Sequence, residues 1–298
     1  MSQPLTLENE YFRLEVWPQY GGKVSSIKDK TDGYELLTTL PIELPTRCPY
    51  DCPYADTWPA GWDECFPSLS PGSYPSYPYQ DIPIPDHGEL WALPTTCVPT
   101  RDGITNVWQG LRFGYRLTRK LFLQGPTIQA EYTLINLSPF DFPFLWTPLI
   151  PLSVQSSIQI DSPKNGVLQN DLTWPQLDPD YQFDDVNKLP SGRAWSVHFQ
   201  DPINQPVLIR YPERKRLLKI DFNSDTGVNA FWRLAINTGT SDGPKSLTLA
   251  PATGRSDQLV QAIHDSSSAV LPASGRVSWQ IRLQIQSICP DPDGTGVC

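Results

Sequence analysis

Apolar and polar residues alternate along most of the chain. In RVSWQIRLQIQSI, residues 276–288, Val277, Trp279, Ile281, Leu283 and Ile285 fall on one side and Ser278, Gln280, Arg282, Gln284 and Gln286 on the other. Successive side chains of a strand point to opposite faces, so this segment predicts a strand with one wet face. FRLEVW begins the chain in the same way, with apolar residues at 12, 14 and 16, and KVSSIKDKTDGYELL after the Gly21-Gly22 break predicts a second opening strand. Beyond Arg101 the segments VWQGLRFGYRLTRKLFL, TIQAEYTLINL, FPFLWTPLIPLSV, WSVHF, PVLIRY, LLKIDF, AFWRLAIN and SLTLAP read as further strands. The only helix predicted is SDQLVQAI, after Gly254. This series of short strands predicts an all-β chain, a large antiparallel β-sandwich with few short helices. No fixed-period repeat or linker divides it, so one domain over residues 1–298 is expected.

Between about Pro41 and Pro94 the alternation stops, and prolines, tyrosines and glycines crowd a segment with neither a strand nor a helix period. A loop this long inside a compact domain is commonly a lid or a binding loop. Trp58, Trp62 and Trp91 predict that it is ordered. The tail 289–298, CPDPDGTGVC, has little to bury and is expected to be loosely held. Proline accounts for 32 of the 298 residues, about twice the usual ~5%, which excludes a helical bundle or coiled coil.

A net charge of −9 and a pI near 4.8 oppose binding to phosphate backbones and anionic lipid surfaces, so neither nucleic acid nor membrane is an expected partner. The opening residues show no basic and apolar leader, and no run of apolar residues is long enough to span a bilayer; a cytoplasmic protein is the expectation. Six cysteines, at 48, 52, 65, 97, 289 and 298, are then expected as reduced thiols. Their spacing matches no paired zinc-ligand pattern, and no metal is expected.

Each of the three histidines has a distinct setting. His198 lies within the strand-like WSVHFQ and reads as a packed imidazole, and His264 ends the predicted helix, where a cation complements the helix dipole. His87, in PIPDHGELW, is flanked by Asp86 and Glu89 and followed by Gly88, which permits an unusual φ or a close backbone approach; it is a candidate proton donor. Asp63 and Glu64, in PAGWDECFPSL, stand between Trp62 and Phe66. Carboxylates beside tryptophan suit sugar recognition, in which the indole covers a pyranose face and the acids take hydroxyls. Phosphate-binding glycine loops, GxSxG and HExxH are absent.

GGKVSSIKDKTDGYELL, GWDECFPSL, PDHGELW, INLSPFDFPFLW and LAPATGRSDQL occur in this order. With them the chain resembles the aldose 1-epimerase or galactose mutarotase-like superfamily over roughly residues 8–285, in particular a divergent bacterial branch with a DE-x-FP loop followed by PDHGE-W. The resemblance implies a large antiparallel supersandwich and an isomerase that interconverts sugar anomers without a cofactor. In that chemistry a glutamate takes the C1 hydroxyl proton and a histidine protonates the ring oxygen. His87 falls on the family's HG histidine, but Thr147 stands where a histidine is usual and Ala250 where the glutamate is usual. The resemblance further implies a pocket lined by Trp62, Asp63, Glu64, His87, Glu89 and Trp91, with Trp232, Arg255 and Asp257 beside them. Within it Glu64 or Glu89 would be a substitute base and His87 the acid. Three functions fit: an aldose 1-epimerase-like enzyme acting on a sugar or sugar derivative, a non-catalytic carbohydrate-binding protein, or a pocket turned to isomerisation, elimination or cyclisation of a non-sugar metabolite.

Overall fold

The computed structural model describes residues 3–39, 49–57, 60–154, 157–161, 166–168, 191–192, 194–239 and 245–288. Two antiparallel sheets dominate. Eight strands lie in the spatial order Gln159–Asp161, Val207–Tyr211, Arg216–Asn223, Arg276–Ser287, Thr127–Asn136, Tyr115–Gln124, Gly103–Gln109 and Thr96–Pro99. Five more follow the order Pro151–Ser153, Ser246–Ala252, Phe231–Asn237, Ala194–Pro202 and Gly166–Leu168. One apolar cluster runs through both sheets, as a β-sandwich requires.

Alternation in the sequence becomes burial in the fold. Val277, Trp279, Ile281, Leu283 and Ile285 are all in the core, and their strand is paired on both sides, with Thr127–Asn136 and with Arg216–Asn223. In the five-stranded sheet Val197, Leu234 and Leu249 form one cross-strand row facing the core. The predicted helix is present as Leu259–His264. A strand at Leu5–Glu8 precedes the two predicted opening strands, Phe12–Trp17 and Lys23–Asp29, and completes a three-stranded sheet; its four residues are too few to register as a period.

Where described, the 41–94 region is ordered by short pairings and aromatic packing. It contains a 3₁₀ turn at Tyr54–Asp56 and strands at Asp63–Cys65, Gly72–Ser73 and Pro83–Ile84. Tyr74 stacks on Phe142 with ring centroids 5.0 Å apart, and Tyr79 meets Phe113 edge-on. Residues 41–48, Trp58 and the tail 289–298 lie outside the described residues. Cys52 is disulfide-bonded, which corrects the expectation of reduced thiols at that position; Cys65 and Cys97 are free. Among the described residues no helix is long and apolar enough to cross a membrane.

The middle of the molecule holds a charged pair. Asp63–Cys65 pairs antiparallel with Thr147–Leu149, and its central residue, Glu64, turns into the core with no exposed surface. Arg119 Nη1 donates to Glu64 Oε1 at 3.0 Å, Trp62 Nε1 at 3.0 Å and Tyr132 Oη at 2.8 Å, while Trp146 Nε1 donates to Oε2 at 2.9 Å. Arg119, equally buried, also donates through Nη2 to Gly22 O at 2.5 Å and Asn106 Oδ1 at 3.0 Å. Burial holds the Glu64 carboxyl above its ordinary range, with Arg119, Tyr132 and Trp146 opposing. Removing one member leaves the other charge buried and unpaired, which costs about 3–5 kcal/mol, whereas an apolar pair of similar volume is commonly neutral or better. Glu64→Ala is therefore expected to lower the unfolding free energy by that much, read as a lower urea midpoint at unchanged m, and Glu64→Leu combined with Arg119→Met to recover only part of it, because Trp62, Tyr132 and Trp146 then lack their acceptor; equilibrium urea unfolding of the three proteins measures both.

Candidate functional site

A strand has two faces, and the strand register decides which residues can meet a ligand. In the five-stranded sheet His198 lies opposite Arg233, and Arg233 opposite Ala250, on the face turned away from the core. Pro151 lies opposite Thr248, and Thr253 N donates to Trp146 O at 2.9 Å. Carried along the intervening residues, that register places Leu149 opposite Ala250 and Thr147 opposite Ala252. The 63–65 strand extends the surface, with Asp63 opposite Leu149 and Cys65 opposite Thr147. A floor results whose centre is small, made of Ala250, Ala252, Thr147 and Cys65. Asp63 stands at one end and Arg233 with His198 at the other, about three strand spacings or ~14 Å away along the sheet.

At the first end, Lys23 Nζ is paired with Asp63 Oδ2 and donates to Ala60 O at 2.8 Å. Tyr54 Oη donates to the same Asp63 oxygen at 2.7 Å. Burial and then the Asp63 charge hold the Tyr54 phenol well above its ordinary range, so it remains a donor. Asp63 Oδ1 is buried and has no hydrogen-bond partner among the described residues.

Above Tyr54 lies His87. Its ring stacks on the tyrosine, centroids 4.2 Å apart and planes 18° from parallel. His87 and Gly88 both take left-handed backbone, φ +60 and +73, and a Cβ on Gly88 would fall 2.0 Å from Phe66 O. Only glycine lets this turn press against the 63–66 backbone, as the sequence predicts. Asp86 Oδ1 lies 2.7 Å from His87 Nδ1, and Asp86 Oδ2 accepts from Tyr54 N at 2.9 Å. The hydrogen bond from His87 outweighs burial and holds the Asp86 carboxyl below its ordinary range. An ionised carboxylate only accepts, so Nδ1 carries a proton, and in the neutral ring the lone pair is on Nε2. Nε2 has no partner among the described residues, and the side chain is 26% exposed.

At the far end Asp257 is held from two sides. Arg233 Nε donates to Oδ1 at 2.8 Å and Nη2 to Oδ2 at 3.1 Å, while His198 Nε2 lies 3.0 Å from Oδ1. Burial would raise the Asp257 carboxyl, but Arg233 and His198 outweigh it and hold the group well below the ordinary range. The main-chain oxygen of Asp257 accepts from Leu69 N and Ser70 N, and Leu69 O accepts from His87 N at 2.8 Å. Segment 63–70 thereby fixes both ends of the floor to one another. Cys65 lies between them: burial first, then Asp63 and Glu64, raise its thiol, with Arg233 opposing and Asp257 adding.

Several residues expected at the pocket are elsewhere. Glu64 is on the core face with four donors on its carboxylate, so it has no access to a ligand and its oxygens are already taken. Glu89 is fully buried and accepts from Tyr50 Oη at 2.5 Å and Arg112 N at 2.9 Å, a clamp on the neighbouring loops. Trp62 and Trp232 are core residues, with Nε1 bonded to Glu64 and to Gln205 O respectively. Trp91, 7% exposed, supports the dyad through Nε1 to Asp86 O at 2.9 Å and an edge contact with Tyr54. Arg255 is turned to the end of the helix, with Nη2 donating to Asp265 O at 3.0 Å. His198 and Arg233, which the sequence reading left out, are part of the floor. Their shared partner Asp257 is 59 and 24 residues away, and the one local sign was an arginine facing away from Trp232 in AFWRLAIN. Among the described residues no group of three or more His, Cys, Asp or Glu is placed to hold a metal ion.

Solved structures share this architecture. The Slr1438 protein of Synechocystis sp. PCC 6803 is 17% identical, with a TM-score of 0.70 over 96% of this chain and 97% of that one. A galactose mutarotase-like protein from Lactobacillus casei is 15% identical, with a TM-score of 0.66 over 95% and 99%. A galactose mutarotase related enzyme from Lactobacillus acidophilus is 12% identical, with a TM-score of 0.67 over 95% and 97%. No protein-family model and no curated protein matches the sequence. The chain thus has the galactose mutarotase-like β-sandwich fold.

Because the Asp257 carboxyl is depressed in the folded protein, the stability it contributes is fully present above the ordinary aspartate range, near pH 4. That contribution is lost as the pH falls through the folded-state value. Asp257→Asn is expected to be less stable than the parent at pH 7 and to converge with it as acid protonates the parent; urea midpoints across an acid series test this.

Proposed function

We propose that the chain binds a small polyhydroxylated molecule, a sugar or sugar derivative, over this floor and moves protons on it through His87. The observation that carries the reading is the Asp86–His87 dyad, in which Nδ1 is committed and Nε2 is open. Such an imidazole accepts a proton from the C1 hydroxyl and returns one to the ring oxygen, the two half-steps by which a cyclic hemiacetal opens, and reverses them as it closes. Asp257 is the ionised carboxylate that replaces Glu64 and Glu89 in this account. Its side chain is 23% exposed, and it can orient a hydroxyl at the other end of the floor. Carboxylate, imidazole and guanidinium groups around small residues suit a hydroxyl-rich ligand better than an apolar one.

A second reading, recognition without turnover, is favoured by Ala250 and Thr147. A methyl group cannot take a proton, and a threonine hydroxyl does not donate one readily near neutrality. These two residues stand at floor positions where the family resemblance implies the proton-transferring pair. The two readings part on turnover, not on binding.

Calorimetry against hexoses and pentoses, followed by NMR anomer exchange on any that bind, separates them. Under the first reading wild type exchanges anomers above the uncatalysed rate, and His87→Gln loses about 10²–10⁴-fold of that rate while the Kd moves only a few-fold. Binding without exchange establishes the second reading, and full activity in His87→Gln removes His87 from the chemistry.

A further inference from the structure

The opposite face of the sandwich carries a groove with no part in the site above. It occupies about 260 Å³ on the outer face of the eight-stranded sheet, among Gln124, Gln129, Lys219, Asp221, Arg282 and Gln284. Strand register arranges these side chains in two rows. Lys219 faces Gln284, which faces Thr127, which faces Gln124; beside them Asp221 faces Arg282, which faces Gln129. Four strands at the usual spacing make the groove roughly 14 Å wide.

Gln129 Nε2 donates to Gln280 Oε1 at 2.7 Å, but four other polar side chains of the groove are uncommitted. Among the described residues the side chains of Gln124, Lys219, Asp221 and Gln284 make no hydrogen bond or ion pair. Lys219, Asp221 and Gln284 are nevertheless only partly exposed. Arg282, directly across the ladder from Asp221, bonds instead to Gln280 Oε1 at 3.3 Å. Opposite charges facing one another on a sheet ordinarily attract, and partly buried charges without partners are costly. A ligand that supplies those partners accounts for both features.

The donor and acceptor set defines the ligand. Lys219 and Arg282 only donate, Asp221 only accepts, and the glutamines do both. A simple anion would meet Asp221, and a simple cation would meet Lys219 and Arg282. Hydroxyl groups donate and accept alike, so a row of sugar rings satisfies every member of the set. We propose that this groove is a binding site for a neutral saccharide chain lying across the four strands, separate from the His87 cleft and independent of what happens there.

Residue-resolved NMR titration of the intact chain with maltohexaose, cellohexaose and the zwitterionic dipeptide Lys-Glu tests this. One hexaose is expected to shift the side-chain amides of Gln124, Gln129 and Gln284 saturably. Asp221→Ala and Gln284→Ala, both surface changes, should each weaken its Kd about threefold to tenfold, the loss of one or two hydrogen bonds. The proposal is overturned by the absence of saturable shifts in the groove with either hexaose, by shifts from the dipeptide alone, or by an unchanged Kd in both variants.

Discussion

The Glu64–Arg119 pair sets the geometry from which the cleft follows. Its hydrogen bonds reach Trp62 in the 41–94 region, Tyr132 in the eight-stranded sheet, and Trp146 just before the 147–149 strand. Arg119 adds the Gly22 carbonyl and Asn106. The eight-stranded sheet and the segments leading into the 63–65 and 147–149 strands thus converge on one carboxylate. A buried carboxylate with its lone pairs taken has little positional freedom, and Asp63 and Cys65 are its immediate neighbours along the strand. Because alternate residues of a strand face opposite ways, fixing Glu64 inward obliges Asp63 and Cys65 to face outward, onto the floor of the cleft.

The same period explains what the sequence could and could not disclose. In 276–287 five apolar residues alternating with polar ones fix which face is buried, and the observed burial follows them. Asp63–Cys65 has three residues, all buried, and Phe231–Asn237 begins with four buried residues in a row, so neither offers a polar side by which to orient it. The resemblance alone therefore implies Glu64 and Trp232 at the pocket, each one residue away from Asp63 or Arg233. Acidity beside tryptophan was a true signal with a different meaning. The Trp62 indole does meet the Glu64 carboxylate, as an internal donor rather than a platform for a sugar.

His87 was legible because its cues are local. Asp86 precedes it, Gly88 permits the left-handed turn, and both act within one residue of the ring. The Arg233–Asp257–His198 arrangement is the opposite case. It exists only because the strand register lines His198 up with Arg233 and a turn after the 246–252 strand returns Asp257 to them. Nothing in WSVHFQ itself indicates a carboxylate. Tyr54 shares this property, since its stacking on His87 spans 33 residues of a segment that has no period.

Electrostatics then constrains the chemistry of the cleft. Lys23 is balanced by Asp63, and Arg233 by Asp257, so these two cations of the floor are neutralised within the protein. A ligand over the floor meets paired charges and open hydrogen-bonding groups rather than an uncompensated field. Ala250 and Thr147 take up little volume between those pairs, and the space that they leave lies within reach of the Arg233 guanidinium, Ala250's cross-strand neighbour. A carboxylate introduced at 250 would compete with Asp257 for that guanidinium. An alanine at 250 and the Arg233–Asp257 pair are therefore physically compatible: with Arg233 committed to Asp257, the proton transfer proposed for this floor falls to His87, whose Nε2 has no partner among the described residues.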